Sequence, residues 1–64
     1  MRSAEVIKLL RADGWSLVRV KGSHHHFKHG SKRGLVTVPH PAAEIPAGTL
    51  RSIFRQAGLR DNAD

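Results

Sequence analysis

The chain has 64 residues, with 11 Lys and Arg against 5 Asp and Glu, 5 His and no Cys, for a formal net charge of +6. A chain of this length buries only about 60% of the surface its unfolded form exposes, so it has room for one thin core, and without cysteine it has no disulfide staple and no thiolate for zinc. No apolar run is long enough for a membrane span or an export signal, so a cytoplasmic setting without a membrane partner is expected, and the excess of cations favours a polyanion, nucleic acid first and an acidic protein second.

From Ser3 to Asp13 the apolar residues Val6, Leu9 and Leu10 fall at helical spacing, with Ile7 widening the stripe. Ser3 is placed to accept from the free N–H groups of the first turn, Glu5 suits the positive end of the helix dipole, and Gly14 supplies a left-handed stop. Trp15 to Lys21 reads as a strand, rich in β-branched and aromatic residues with alternating charges. Gly22-Ser23 is then a two-residue hairpin turn, of type II′ if Gly22 takes positive φ. That turn predicts the pairs Lys21 with His24, Val20 with His25, Arg19 with His26, Val18 with Phe27, and Leu17 with Lys28. Alternation then puts Val18, Val20, His25 and Phe27 on an inner face, and Arg19, Lys21, His24, His26 and Lys28 on an outer one together with Trp15 and Leu17.

The stretch from His29 to Gly34 is a basic loop flanked by glycines, and Leu35 to Pro39 is a third strand with Val36 and Val38 pointing inward. After the connection HPAAE, Pro46 suits the first turn of a second helix that carries Leu50, Ile53, Phe54 and Ala57 at helical spacing. Gly58 ends it, and Leu59 is expected to fold back on Phe54 in a Schellman-type cap. Residues 1-59 thus form one α+β domain of order α-β-β-β-α, two helices on one face of a three-stranded antiparallel sheet, followed by a polar C-terminal tail, 60-64.

Four of the five histidines lie in the stretch GSHHHFKH, and alternation divides them. His24 and His26 face outward among cations, whereas His25 points inward as a structural, hydrogen-bonded residue. His29 and His40 lie at strand ends, where they are solvated or stabilise turns. His24 and His26 could chelate a metal, but Cys is absent and Glu5, Asp13 and Glu44 lie outside the hairpin, so no metal and no cofactor is expected. Lys28, Lys32, Arg33 and Arg51 read as contacts to the phosphates of a nucleic acid or as solvated surface. Trp15 reads as a base-stacking residue, a cover for the sheet edge, or a docking residue for a protein partner.

The segments SAEVIKLLRADGW, RVKGSHHHFKH, GLVTVPHP and IPAGTLRSIFRQAGL, in this order and at this length, resemble the HicA family of bacterial toxin–antitoxin systems. The family pattern is matched at Gly14-Trp15, at Gly22-Ser23-His24-His25-His26-Phe27, at Val36-Thr37-Val38-Pro39-His40, and at Gly48-Thr49-Leu50-Arg51-Ser52-Ile53. Many relatives have proline after the histidine that closes the second strand, where this chain has Gly30. The resemblance implies a double-stranded-RNA-binding-domain-like fold and a ribonuclease that cleaves mRNA, arrests growth and is neutralised by a HicB-like antitoxin. It also implies that the catalytic histidine is the one following Gly-Ser, His24.

RNA supplies its own nucleophile, the 2′-hydroxyl, so cleavage needs only proton transfer and stabilisation of the phosphoryl oxygens. On the hairpin register, His24 is then the general acid or base, Lys21 and Arg19 hold the phosphate, and His26 or a water is the opposite partner. The alternative is a non-catalytic dsRNA-binding module, which needs the same fold and charge but no exposed histidine in the hairpin.

Overall fold

The computed structural model describes residues 1–59. The polar tail lies outside the described residues. The elements are α1 (Ser3–Ala12), β1 (Trp15–Lys21), β2 (His24–His29), β3 (Val36–Pro39) and α2 (Ala47–Ala57). The strands form an antiparallel sheet of order β1-β2-β3. Helix α1 packs on β1 and β3, and α2 packs on β3. This is the α-β-β-β-α order that periodicity predicts. Among the described residues no helix is long and apolar enough to cross a membrane.

Helix α1 buries Val6 and Leu10, as its spacing requires, but Ser3 does not cap it. Arg2 is the cap residue, and the Glu5 carboxylate accepts its N–H at 3.0 Å. Ser3 is instead a buried first-turn residue whose Oγ accepts the Ala42 N–H at 2.8 Å and meets His40 Nδ1 at 2.7 Å. The helix stops at Ala12, with Asp13 as C-cap, and Gly14 follows at φ +105°.

The β1–β2 turn is the expected one. Gly22 has φ +59° and, among the described residues, no non-glycine residue has positive φ, which excludes type I′ and leaves type II′. Lys21, Val20 and Arg19 pair with His24, His25 and His26 as the turn dictates. Val18 then drops out of the ladder as a bulge, and Leu17, Ser16 and Trp15 pair with Phe27, Lys28 and His29. One inserted residue exchanges the faces of everything before it. Trp15, expected outside, is therefore a core residue only 1% exposed, and Leu17 moves to the inner face opposite Phe27. Val18, expected inside, is 53% exposed. Val20 keeps its inner-face pairing with His25, but on an edge strand beside the turn it remains 52% exposed.

Val36 and Val38 of β3 are fully buried beside Phe27. Ile45, which lies between the connection HPAAE and Pro46, is also core at 1% exposure. Its N–H bonds the Met1 carbonyl, and the Ser3 N–H bonds the Ala42 carbonyl, both at 3.0 Å, which straps this segment to the start of α1. Pro46 precedes α2 as its cap instead of lying inside the first turn, and its carbonyl accepts the Leu50 N–H. Ile53, Phe54 and Ala57 are buried, and Leu50 and Leu59 pack against them. Gly58 is left-handed at φ +67°, and the Leu59 N–H reaches the Phe54 carbonyl at 2.9 Å, the bond expected of a Schellman-type cap.

Candidate functional site

The outer face of the hairpin is set by β2, the central strand. His24 lies between Lys21 on β1 and Pro39 on β3, and His26 lies between Arg19 and Thr37. Lys28 continues the row opposite Ser16. All of the His24 and His26 pairings fall on the turn side of the bulge, so the slip that misplaces Trp15 leaves this part of the register intact. Residues two apart on one strand face are about 7 Å from each other.

His24 is exposed, and its imidazole makes no hydrogen bond among the described residues. His26 is half-buried and is held by Thr37, its Nδ1 lying 2.8 Å from the hydroxyl oxygen. That bond fixes the ring and leaves Nε2 as the nitrogen available to a ligand. Thr37 was not singled out by the sequence. The loop between β2 and β3 is too long to fix a register, so only the V-T-V alternation hinted that the threonine faces outward.

The remaining cations divide. Arg19, Lys21, Lys28, Arg33 and Arg51 are exposed. Lys32, also expected to contact phosphate, is engaged within the protein. Its ammonium donates to the Asp13 carboxylate at 2.6 Å and to the Ala57 carbonyl at 3.0 Å, joining the end of α1 to the end of α2 at the far end of β2 from His24. The hydrogen bond from Lys32 is the main cause that holds the Asp13 carboxyl below its usual value. Partial desolvation opposes it, and the Lys32 charge, the Trp15 indole N–H at 3.2 Å and His29 add to it.

The other histidines are structural. His29 Nε2 lies 2.6 Å from the Asp13 carbonyl, which can only accept, while Nδ1 accepts the N–H groups of Ser31 and Lys32 at 3.0 and 3.2 Å. Its ring also stands edge-on to Trp15. This is the turn-stabilising role expected of a strand end. His40 does the same for α1 through Ser3, and its N–H extends the ladder to the Ser23 carbonyl. His25 points inward, edge-on to His40 at 4.9 Å between centroids. Contrary to expectation it is not satisfied there, for its Nδ1 is buried without a hydrogen-bond partner. Among the described residues no three His, Cys, Asp or Glu side chains are gathered as a metal site.

Residues 3–59, which include every element from α1 to the α2 cap, match the family model described as the HicA toxin of bacterial toxin–antitoxin. The chain belongs to the HicA toxin family. A solved structure described as a toxin–antitoxin complex from Streptococcus pneumoniae contains a chain 40% identical to it, with a TM-score of 0.78 over 92% of this chain and 98% of that one. Among curated protein sequences no relative matches. Membership of the HicA family makes the chain a toxin of a bacterial toxin–antitoxin system. It also accounts for the co-occurrence of the glycine-serine turn, the histidine strand and the basic outer face in so short a chain.

Proposed function

We propose that this HicA-family toxin is a metal-independent endoribonuclease that cuts mRNA in the cytoplasm through a single catalytic histidine, His24, and that a HicB-like antitoxin silences it by covering the same face. The observation that carries the reading is the exposed, unbonded His24 set directly across from Lys21 and one step along the strand from His26 and Arg19. A histidine suits the proton steps because its unperturbed pKa of about 6.5 leaves both forms available near neutrality. Lys21 and Arg19 supply the positive charge that a phosphoryl oxygen needs as it becomes more negative. His26 or a water serves as the opposite proton partner, and Lys28 and Arg33 extend the track for the flanking phosphates. That a chain so similar to this one was solved as a toxin–antitoxin complex supports an antitoxin partner here.

The test is incubation of purified wild-type and His24→Ala protein with RNA and DNA of the same sequence in excess EDTA. Cleavage of RNA alone, lost in the variant, is expected. Retention of cleavage by the variant would sink the assignment of His24, and binding of RNA without cleavage by the wild type would select the non-catalytic dsRNA-binding reading instead.

A further inference from the structure

We infer that the free edge of β1 is a docking site for an extended strand of a partner protein, one whose residues alternate between apolar and acidic. Strand β1 has a neighbour on one side only among the described residues, and it offers seven residues of backbone along its other side. The opposite edge, β3, has four residues and ends at Pro39, which has no N–H to give. Unpaired N–H and C=O groups in such a row are a template for another strand.

The side chains specify what kind of strand fits. Leu17, Val18 and Val20 are 38, 53 and 52% exposed, three half-open apolar residues within four positions of one edge. Leu17 and Val20 share the face of Phe27 and His25, while Arg19 and Lys21 share the face of His26 and His24. An incoming strand has the same period of two, so its residues on the first face must be apolar and those on the second acidic.

Other occupants fit less well. A second copy of this chain would bring Arg19 and Lys21 against like charges about 5 Å away, between two molecules of net charge +6 each. Arg19 and Lys21 thus guard the edge against self-pairing but not against an acidic strand. A nucleic acid would satisfy the cations, yet it would leave the backbone edge unpaired and Leu17 and Val20 uncovered.

A cyclic β-hairpin peptide with a free edge of alternating Val and Glu is a suitable probe, since cyclisation removes the ordering cost of a lone strand. Titrated into the full chain, it is expected to bind and to protect the β1 amides from hydrogen exchange. The double variant Val18→Glu/Val20→Glu, with folding checked by thermal unfolding, should weaken binding at least tenfold. So should N-methylation of the peptide's edge amides, or Lys in place of its Glu. The inference is overturned if the Val-Glu peptide does not bind, or if the N-methylated peptide binds as well. It also fails if protection falls outside β1, if an RNA oligonucleotide protects the same amides and displaces the peptide, or if the wild-type chain is a dimer in sedimentation and the double variant a monomer.

Discussion

Gly14 and His29 are fitted to each other: a Cβ on Gly14 would lie 2.8 Å from His29 Nε2, the atom that holds the Asp13 carbonyl. Gly14 also has φ +105°, which side-chain-bearing residues rarely adopt. Gly14→Ala therefore combines backbone strain of about 1–2 kcal/mol with a weakened part-buried hydrogen bond of about 1 kcal/mol. Thermal unfolding should show a midpoint lower by roughly 10 °C or more. Gly30→Ala, where φ is not positive and nothing lies within 4 Å, should stay within about 0.5 kcal/mol of wild type.

His25 leads to the opposite expectation. Its buried Nδ1 lacks a partner, and such a group costs about 1–3 kcal/mol relative to one that is satisfied. His25→Leu keeps the inward apolar contacts with no polar atom to desolvate, so its urea midpoint should equal or exceed that of wild type. RNA cleavage should persist, because His25 lies on the face opposite His24. A marked loss of stability would mean that the edge-on contact with His40 matters more than the orphaned nitrogen.

The contrast between His24 and Trp15 shows where the sequence could be read and where it could not. Gly22-Ser23 fixes the hairpin register outward from the turn, so the faces of His24, His25 and His26 followed from a two-residue loop and alternation alone. The bulge at Val18 has no comparable signal, since no glycine marks it and valine is an ordinary strand residue. What forces it is tertiary: Trp15 is the largest apolar side chain available to the core, and only an extra residue brings it and Leu17 to the side of Phe27. The same holds for Ile45, whose burial depends on a strap to Met1 and Ser3 far away in sequence. Lys32 looked like a member of the basic loop because its acceptor, Asp13, is brought near only by folding.

That pairing has a consequence in acid. Asp13 is held below its ordinary value of 3.8, chiefly by the hydrogen bond from Lys32. A carboxylate lowered on folding contributes stability that is fully present above its unfolded pKa and is lost as pH falls through the lower folded one. Urea midpoints of wild type and Asp13→Asn should therefore differ by a constant amount from neutrality down to about pH 5 and converge below the unfolded value of 3.8. A difference that persists unchanged in strong acid would show that Asp13 acts through hydrogen bonding alone.

On the proposed chemistry, His24→Ala should lower the cleavage rate by about 10²–10⁴, the usual worth of one positioned proton-transfer group. The role of His26 is resolved through Thr37. Thr37→Val removes the hydroxyl that orients His26 Nδ1 while leaving the strand apolar and β-branched. If His26 transfers a proton, the variant should lose kcat by about tenfold with KM little changed. A change confined to KM would make His26 a phosphate-binding residue only.

The cations of the outer face and Lys32 should separate in salt. Each lysine or arginine that neutralises one phosphate of single-stranded RNA contributes about 0.7 to the slope of log affinity against log salt. Lys21→Met and Lys28→Met should each flatten that slope by about this amount, because both side chains are exposed on the face that carries His24. Lys32→Met should leave the slope unchanged, since its ammonium is committed to Asp13 and to the Ala57 carbonyl, and should lower the unfolding midpoint instead. RNA binding followed across a salt series, with His24→Ala as the background to prevent turnover, distinguishes the two outcomes. A slope that falls with Lys32→Met would mean that this lysine leaves its ion pair when RNA arrives, which would extend the phosphate track beyond the far end of β2.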